Sequence, residues 1–206
     1  MKHHWLSRSD SADVLVVFGG WALGEDAFNS LICDGDVLLV EDYTQLDNPL
    51  EMLAHYDRVD MLGFSFGVAS MVHWLAQSGV QPARLIAVAG TLSPADEQHG
   101  IAPDLIRATA DQLTEHSFAK FCRRAGLVTR PPVIDIHAAQ AELHAVIRRG
   151  PAPNLHFDRI WIPQQDRIIP TRAQETAWKP QQHVVQRLQA PHIPFQAGQN
   201  WADWIV

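Results

Sequence analysis

The feature that most constrains the fold of this chain is a Gly-x-Ser-x-Gly motif at residues 63–67, Gly-Phe-Ser-Phe-Gly. Residues 58–62 before it have the pattern of a strand, and the apolar residues after it recur at helical spacing until Gly79. A strand that turns into a helix through this motif strains the serine backbone and exposes its hydroxyl at the strand's carboxyl end. The context therefore predicts that Ser65 is a nucleophile, whereas a chance match in a loop would lack these flanking patterns.

Strand-like apolar runs alternate with helical patterns along much of the chain. Strands are predicted at residues 14–18, 37–40, 58–62, 84–89, 159–162 and 184–188, and further helices at 25–32, 50–55, 171–179 and from about 198 onward. This alternation is typical of a mostly parallel sheet covered by helices on both faces, so an α/β fold class is predicted. Together with the nucleophile motif, it indicates the three-layer α/β-hydrolase fold.

The strand signal disappears between residues 92 and 155, where three helical patterns replace it at 103–110, 113–124 and 135–149. Ligands of open α/β sheets bind at the carboxyl edge of the strands, and an insert after the fourth predicted strand would overhang that edge. We expect residues 92–155 to form a helical cap within a single domain of residues 1–206, since this length leaves little room for a second domain.

Two residues follow later strands at the positions that a serine nucleophile requires of its partners. A serine hydroxyl needs a base to take its proton, and an imidazole base needs a carboxylate to fix its tautomer. Asp166 follows the predicted strand 159–162 and His192 follows the strand 184–188, in the order serine, acid, histidine of α/β-hydrolases. The sequence thus predicts a triad of Ser65, Asp166 and His192. The alternatives are a solvated turn aspartate and a surface histidine between two prolines.

Two backbone N–H groups are expected to stabilise the oxyanion of such a reaction. One belongs to Phe66, directly after the nucleophile, and the other to Trp21, which follows Gly19 and Gly20 at the end of the first predicted strand. An ordinary strand-ending turn is the alternative for the two glycines. The indole of Trp21 fits core packing as well as substrate contact.

Acidic residues outnumber basic ones by 23 to 16, which gives a formal net charge of −7. This balance argues against nucleic acid or an anionic membrane as a general partner. Cys33 and Cys122 show neither metal-ligand nor disulfide spacing, the amino terminus has no apolar signal core, and the longest apolar run is far too short to span a bilayer. We therefore expect a cytoplasmic protein with no metal site and no metal or organic cofactor.

One segment departs from the acidic character of the chain. Residues 118–130 contain Lys120, Arg123, Arg124 and Arg130 and no acidic residue. On the expected cap, these side chains would form a local positive patch suited to an acidic protein or a phosphate group. A solvated helix face is the alternative.

A set of short stretches spread over nearly the whole length is more specific than the catalytic motifs alone. It consists of residues 18–21 (FGGW), 41–43 (EDY), 63–67 (GFSFG), 90–91 (GT), 99–103 (HGIAP), 120–124 (KFCRR), 166–170 (DRIIP) and His192. In this combination the chain resembles the BioG family of pimeloyl-[acyl-carrier protein] methyl ester esterases of biotin synthesis. The resemblance implies hydrolysis of the methyl ester on a carrier-bound pimeloyl chain, with Ser65 as nucleophile, His192 as base and Asp166 as its orienting acid.

The resemblance also implies acyl carrier protein as the partner that delivers the ester, with Lys120, Arg123 and Arg124 as candidate contacts. The sequence departs from the wider hydrolase pattern at Pro191, which stands where glycine usually precedes the histidine. Two other functions stay open. One is a general short-chain carboxylesterase or thioesterase acting on a small-molecule ester, and the other is a non-catalytic binding module that retains the hydrolase shell.

Overall fold

A seven-stranded sheet forms the centre of the protein, in a computed structural model that describes residues 1–205. The strands are β1 (Lys2–Ser7), β2 (Asp13–Phe18), β3 (Asp36–Glu41), β4 (Arg58–Phe64), β5 (Arg84–Val88), β6 (Arg159–Pro163) and β7 (Val185–Leu188). Their order across the sheet is β1-β3-β2-β4-β5-β6-β7. Strand β1 runs antiparallel to β3, and the other neighbouring pairs are parallel. The mostly parallel sheet predicted from the sequence is therefore confirmed.

Strand β1 is the one member of the sheet that the sequence pattern does not predict. Its residues, Lys-His-His-Trp-Leu-Ser, form neither an apolar run nor a regular alternation. The strand lies at the edge of the sheet and its residues are only partly buried or exposed, so pairing with β3 defines it more than apolar burial does. Edge pairing of this kind leaves little trace in the local sequence.

Six α-helices surround the sheet within residues 1–205. They are α1 (Phe66–Ser78), α2 (Pro103–Asp111), α3 (Glu115–Ala125), α4 (Ile136–Arg149), α5 (Thr171–Ala177) and α6 (Ala202–Ile205), and short 3-10 helices span Gly24–Ala27, Glu51–His55 and Lys179–Val184. The helix predicted at residues 25–32 is wrong over most of its length. Ile32 pairs with Asn200 in an isolated bridge, and this extended pairing is incompatible with a helix that continues through residue 32.

The remaining predicted helices are present with shifted ends. Helix α3 begins at Glu115 and not at residue 113, because Thr114 is its N-cap. The Thr114 hydroxyl accepts the backbone N–H of Ser117 at 3.1 Å, and the Ser117 hydroxyl accepts the backbone N–H of Thr114 at 2.9 Å. The helix predicted at 171–179 ends as an α-helix at Ala177 and continues as a 3-10 helix from Lys179.

The sheet carries a separate apolar core on each face. Along β2, Val14 and Val16 belong to one core and Leu15 and Val17 to the other, as the alternation of a strand requires. Helix α1 contributes buried residues to the first core, whereas α2, α3 and α4 contribute to the second. Helices α2, α3 and α4, which lie between β5 and β6 in the chain, therefore pack against the sheet through this second core. The molecule has the three layers of helices, sheet and helices that the sequence predicts.

Candidate active site

Ser65 lies in a sharp turn between strand β4 and helix α1. Its backbone has φ 57° and ψ −124°, outside the regions that non-glycine residues usually occupy, and its N–H donates to the Val88 carbonyl at 2.9 Å. A Cβ atom at Gly67 would overlap the carbonyl oxygens of Phe18 and Gly19, so only glycine fits there. The turn holds the hydroxyl at the carboxyl end of the central strand, as the motif predicts.

The structure brings the three residues predicted as a triad into one hydrogen-bonded line. His192 Nε2 lies 2.9 Å from Ser65 Oγ, and His192 Nδ1 lies 2.7 Å from Asp166 Oδ2. The side chains of His192 and Asp166 are fully buried, and Ser65 is 6% exposed. Ser65 and His192 are 127 positions apart in the chain, so this contact is made entirely by the tertiary fold.

Parallel strands explain how these side chains meet. Strands β4, β6 and β7 end at the same edge of the sheet, and Ser65, Asp166 and His192 each follow one of them. The loops after β6 and β7 also bind each other, since the N–H of Gln165 donates to the Ala190 carbonyl at 3.1 Å. Asp166 and His192 are thus placed on two neighbouring loops that are hydrogen-bonded to each other.

The Asp166 carboxylate accepts hydrogen bonds on both oxygens. Oδ1 accepts the backbone N–H groups of Ile168 and Ile169 at 2.8 and 2.9 Å. Oδ2 accepts the Nε2 amide of Gln174 at 2.8 Å in addition to His192. The sequence does not predict the part that Gln174 plays, because a glutamine in the first turn of a helix is an ordinary surface residue by pattern alone.

The loop that carries His192 is held by the end of helix α3. The N–H of Ile193 donates to the Ala125 carbonyl at 2.8 Å. Gly126 lies against Pro191 so closely that a Cβ at Gly126 would be 2.6 Å from Pro191 Cγ. Pro191 therefore serves as a packing surface, and its departure from the usual glycine is compatible with the observed position of His192.

A cavity of about 450 Å³ opens beside Ser65. Trp21 and Phe66 line it next to the nucleophile, and helices α2, α3 and α4 supply much of the remaining wall. The apolar lining residues are Trp21, Phe66, Ile101, Leu105, Ile106, Ala108, Leu113, Phe121, Leu143 and Ile168. The cavity is thus suited to an apolar chain that ends near the serine hydroxyl.

The Trp21 side chain serves both packing and the cavity wall. Its indole N–H donates to the Ala139 carbonyl on α4 at 2.9 Å, and its ring meets Phe118 and Phe121 edge-on at 5.9 and 5.1 Å between centroids. The residue is 3% exposed. The Trp21 indole therefore both packs in the core and forms part of the cavity wall.

Two of the three predicted carrier contacts lie at the cavity. Lys120 and Arg124 are exposed residues of α3 that line it, and the Arg124 guanidinium donates to the Arg167 carbonyl at 2.7 Å. Arg123 is exposed on the same helix but is not a lining residue. A contact between Arg123 and the substrate chain is thus not supported, although its side chain is open to a protein-sized partner.

A buried carboxyl on α4, Glu142, is a further feature that the sequence does not predict. Its Oε1 accepts the backbone N–H of Tyr43 at 3.1 Å, and the Tyr43 hydroxyl donates to the Gly19 carbonyl at 2.8 Å. Burial, with a smaller contribution from the nearby carboxylates of Asp42 and Glu41, raises the pKa of Glu142 to about 7 against the opposing effect of the Tyr43 N–H. The carboxyl links α4 to the loop that leads to Trp21.

One known protein family matches this chain along almost its whole length. The model of a family described as "Pimeloyl-ACP methyl esterase BioG" matches residues 1–204. The chain belongs to the BioG family. The resemblance found in the sequence is thereby confirmed.

A BioG protein of known structure has the same overall fold. The crystal structure of BioG from Haemophilus influenzae matches with a TM-score of 0.88 and 25% sequence identity, over 100% of both chains. A lipase-esterase related protein from Clostridium acetobutylicum matches with a TM-score of 0.63 and 12% identity, over 93% of this chain and 92% of that one. The first match supports the family, the second reflects the fold alone, and together they confirm the α/β-hydrolase fold.

A longer relative carries a BioG-like part. The malonyl-[acyl-carrier protein] O-methyltransferase of Bacteroides fragilis (strain 638R) is 27% identical over 192 residues. The match covers 87% of this BioG-family chain but 39% of the relative. The chain therefore spans well under half of that protein, and the methyltransferase name describes the relative.

Within residues 1–205, no group of three or more His, Cys, Asp and Glu side chains is arranged to hold a metal ion. None of the helices described there combines the length and the apolar character that a membrane span requires.

Proposed function

We propose that this protein is a serine esterase that hydrolyses pimeloyl-[acyl-carrier protein] methyl ester to pimeloyl-[acyl-carrier protein] and methanol, in biotin biosynthesis. The observation that carries the proposal is the hydrogen-bonded line from Ser65 through His192 to Asp166, beside an apolar cavity with a basic rim. Membership of the BioG family supports the class of substrate.

In the first half of the reaction, His192 Nε2 accepts the hydroxyl proton as Ser65 Oγ bonds to the ester carbonyl carbon. The carbonyl electron pair moves onto oxygen, and the Asp166 carboxylate stabilises the imidazolium that forms. Collapse of this intermediate breaks the bond to the methoxy oxygen. That oxygen takes the proton from His192 and leaves as methanol, which leaves the pimeloyl chain esterified to Ser65.

In the second half, water takes the place of the serine hydroxyl as nucleophile. His192 accepts a proton from the water as its oxygen bonds to the acyl carbon, and the second tetrahedral intermediate then releases Ser65 Oγ. The serine oxygen regains its proton from His192, so the catalytic side chains return to their starting state. The product is the carboxylic acid, which ionises in solution.

Trp21 and Phe66 are proposed to donate their backbone N–H groups to the oxyanion. Phe66 is the first residue of α1, where N–H groups have no acceptor within the helix. Trp21 lines the cavity together with Ser65 and Phe66. Donors placed in advance at the position of developing charge stabilise the transition state more than the ground state.

The cavity and its rim fit the two parts of the proposed substrate. Cavities of a few hundred Å³ are typical of sites for small apolar groups, and about 450 Å³ with an apolar lining accommodates a methylene chain. Lys120 and Arg124 at the cavity, with Arg123 nearby on α3, would meet an acidic carrier and its phosphate. The Bacteroides relative is named for methylating a carboxyl on a carrier protein, and such a methyl ester is the bond this esterase would cleave.

The cap over the site, the location of the protein in the cell and its partners can be proposed as well. We propose that residues 92–155, which contain α2, α3 and α4, act as the cap over the site within one domain of residues 1–206. A cytoplasmic location is proposed because both cysteines, Cys33 and Cys122, are free thiols, which suits a reducing compartment. The net charge of −7 favours neither nucleic acid nor an anionic membrane as a partner.

Replacement of the nucleophile tests the proposal directly. Ser65→Ala should lower kcat/KM for pimeloyl-carrier methyl ester by about 10⁴-fold or more, because the covalent route is removed. Ser70→Ala is the matched control, since Ser70 is a buried serine on helix α1, directly after the Ser65 turn, and does not line the cavity. Full activity of Ser65→Ala, with Ser70→Ala also active, would refute the serine mechanism.

A comparison of substrates tests the specificity. The proposal expects pimeloyl-carrier methyl ester to be cleaved with a higher kcat/KM than small aryl esters or acyl thioesters. Equal values would assign a general carboxylesterase or thioesterase activity instead. A purified protein whose Ser65 is not labelled by a fluorophosphonate would indicate a binding module without catalysis.

A further inference from the structure

Gln174 is a fully buried side chain beside the triad. It lies on helix α5 and has 0% of its surface exposed. Its Nε2 amide donates to Asp166 Oδ2 at 2.8 Å and to the Ile169 carbonyl at 2.9 Å. Among residues 1–205, its own carbonyl oxygen, Oε1, has no hydrogen-bond partner.

The orientation of this amide follows from its neighbours. Asp166 and the Ile169 carbonyl both present acceptors, so only the NH₂ end of Gln174 can face them, and the reversed amide would bring acceptor against acceptor. The cost of this orientation is a buried acceptor without a partner, which native proteins rarely tolerate. An apolar side chain of the same length would avoid that cost. The two hydrogen bonds donated by the NH₂ group of Gln174 therefore explain why a glutamine occupies this position.

The donor acts on the oxygen that faces the histidine. Asp166 Oδ1 is held by two backbone N–H groups, which restrain the carboxylate through that oxygen only. Gln174 holds Oδ2 from one side while His192 Nδ1 meets it from the other. Without Gln174, His192 would be the one side chain bonded to Oδ2, and the carboxylate would otherwise be restrained only through Oδ1.

We propose that Gln174 is a positioning residue that keeps Asp166 Oδ2 in line with His192 and thereby keeps the imidazole directed at Ser65. The proposal rests on the catalytic roles proposed above for these three residues. Gln174 acts through Asp166 and touches neither the substrate nor the reacting atoms.

Gln174→Met separates this role from a structural one. Methionine keeps the length of the side chain, removes the donor and also removes the unpaired oxygen. The variant loses the orphan acceptor Oε1 but leaves the Ile169 carbonyl without its donor, so its urea midpoint should fall only slightly below that of wild type. Its kcat/KM on a small aryl ester and its rate of labelling by a fluorophosphonate should nevertheless fall together, by up to about a hundredfold.

Gln181→Met is the matched control for the same chemical change. Gln181 uses both ends of its amide, accepting the N–H of Phe157 at 2.9 Å and donating to the Leu155 carbonyl at 2.8 Å, with no bond to the triad. Its replacement should lower stability and leave the labelling rate of the folded protein unchanged. The two variants are thus expected to lose stability alike and to differ in the labelling rate, which falls only in Gln174→Met.

The pH profile of kcat/KM is a separate test, because it would stay unchanged if Gln174 served only to pack the core. Activity falls on the acidic side as the catalytic histidine takes up a proton. Removing the Gln174 donor leaves more negative charge on Asp166 Oδ2 to stabilise the imidazolium, so the acid limb of Gln174→Met should move to higher pH. The acid limb of Gln181→Met should coincide with that of wild type.

Gln174→Glu provides a second test if Gln174→Met does not fold. It has the shape of glutamine, and once its carboxyl is ionised it places an acceptor against Asp166, so the labelling rate at alkaline pH should fall at least as far. Wild-type labelling rates in the folded variants would overturn the proposal for Gln174, provided that Ser65→Ala is inactive. Activity in Ser65→Ala would instead overturn the serine mechanism itself.

Discussion

At the scale of single residues, buried polar side chains hold the loops around Ser65 in place through hydrogen bonds. Glu142 is the most demanding of these, since a carboxylate loses its hydration when it is buried. It accepts the N–H of Tyr43, whose hydroxyl holds the Gly19 carbonyl two residues before Trp21. One carboxyl on α4 is thus connected to the loop proposed to stabilise the oxyanion.

Glu142→Gln should remove a pH dependence of stability. The pKa of Glu142 is raised from an ordinary value of 4.5 to about 7 by burial, so the folded protein holds this proton more tightly than the unfolded chain. The resulting stabilisation is complete below pH 4.5 and is lost as the pH rises through about 7, by up to about 3 kcal/mol. Urea unfolding across this range should show the decline in wild type and a flatter profile in Glu142→Gln.

Glu115→Gln is the control for this measurement, because Glu115 is an exposed glutamate at the start of α3. That variant should keep the decline seen in wild type. The same decline in all three proteins would show that Glu142 is not its source.

At the scale of elements, the end of helix α3 holds the loops that carry Asp166 and His192. Arg124 donates to the Arg167 carbonyl beside Asp166, and the Ala125 carbonyl accepts the N–H of Ile193 beside His192. The helix that presents Lys120 to the cavity is therefore bonded to the loops of both Asp166 and His192. A substitution at this end of α3 should therefore lower activity even though no residue of the proposed triad is changed.

Gly126→Ala should lower activity by displacing the loop of the base. Gly126 has φ 94°, and an added Cβ would lie 2.6 Å from Pro191 Cγ, directly before His192. Because small displacements of a catalytic group are costly, kcat on a small aryl ester should fall by up to about a hundredfold.

Gly79→Ala separates the clash from backbone strain. Gly79 ends helix α1 with φ 73°, but nothing lies within 4 Å of an added Cβ. Both variants should lose about 1–2 kcal/mol of stability from the left-handed backbone, as urea unfolding would measure. If Gly79→Ala lost as much kcat as Gly126→Ala, strain alone would explain the loss.

At the scale of the whole molecule, charge is distributed unevenly. The chain carries a net charge of −7, yet the cavity is lined by Lys120 and Arg124. An acidic carrier would be repelled by the protein as a whole and attracted by this one region. The local field at the cavity, more than the net charge, is therefore expected to govern association.

Lys120→Glu tests this expectation against a matched change elsewhere. It should lower kcat/KM for pimeloyl-carrier methyl ester by up to about tenfold and leave hydrolysis of a neutral aryl ester unchanged. Arg172→Glu changes the net charge by the same amount at an exposed position of α5 outside the cavity, and should affect neither substrate. Equal losses in both variants on the carrier substrate would point to net charge.

Much of the fold follows from patterns that are local in the chain. Apolar runs locate the five inner strands, because a strand buried in a parallel sheet is apolar along most of its length, and the two valines at residues 184–185 locate β7 at the edge. The seventh, β1, is an edge strand that pairing with β3 defines. The predicted helix at residues 25–32 is wrong for a similar reason, since Ile32 is drawn into a bridge with Asn200 from the far end of the chain.

The sequence by itself determined the serine turn and the strand ends that carry Asp166 and His192, because glycine requirements and apolar runs act between near neighbours. Only the tertiary structure decided which polar groups hold that site. Gln174 meets Asp166 across 8 positions and Glu142 meets Tyr43 across 99. A glutamine or glutamate in a helix has the same local pattern whether it faces water or a buried partner, and the folded chain alone determines which it meets.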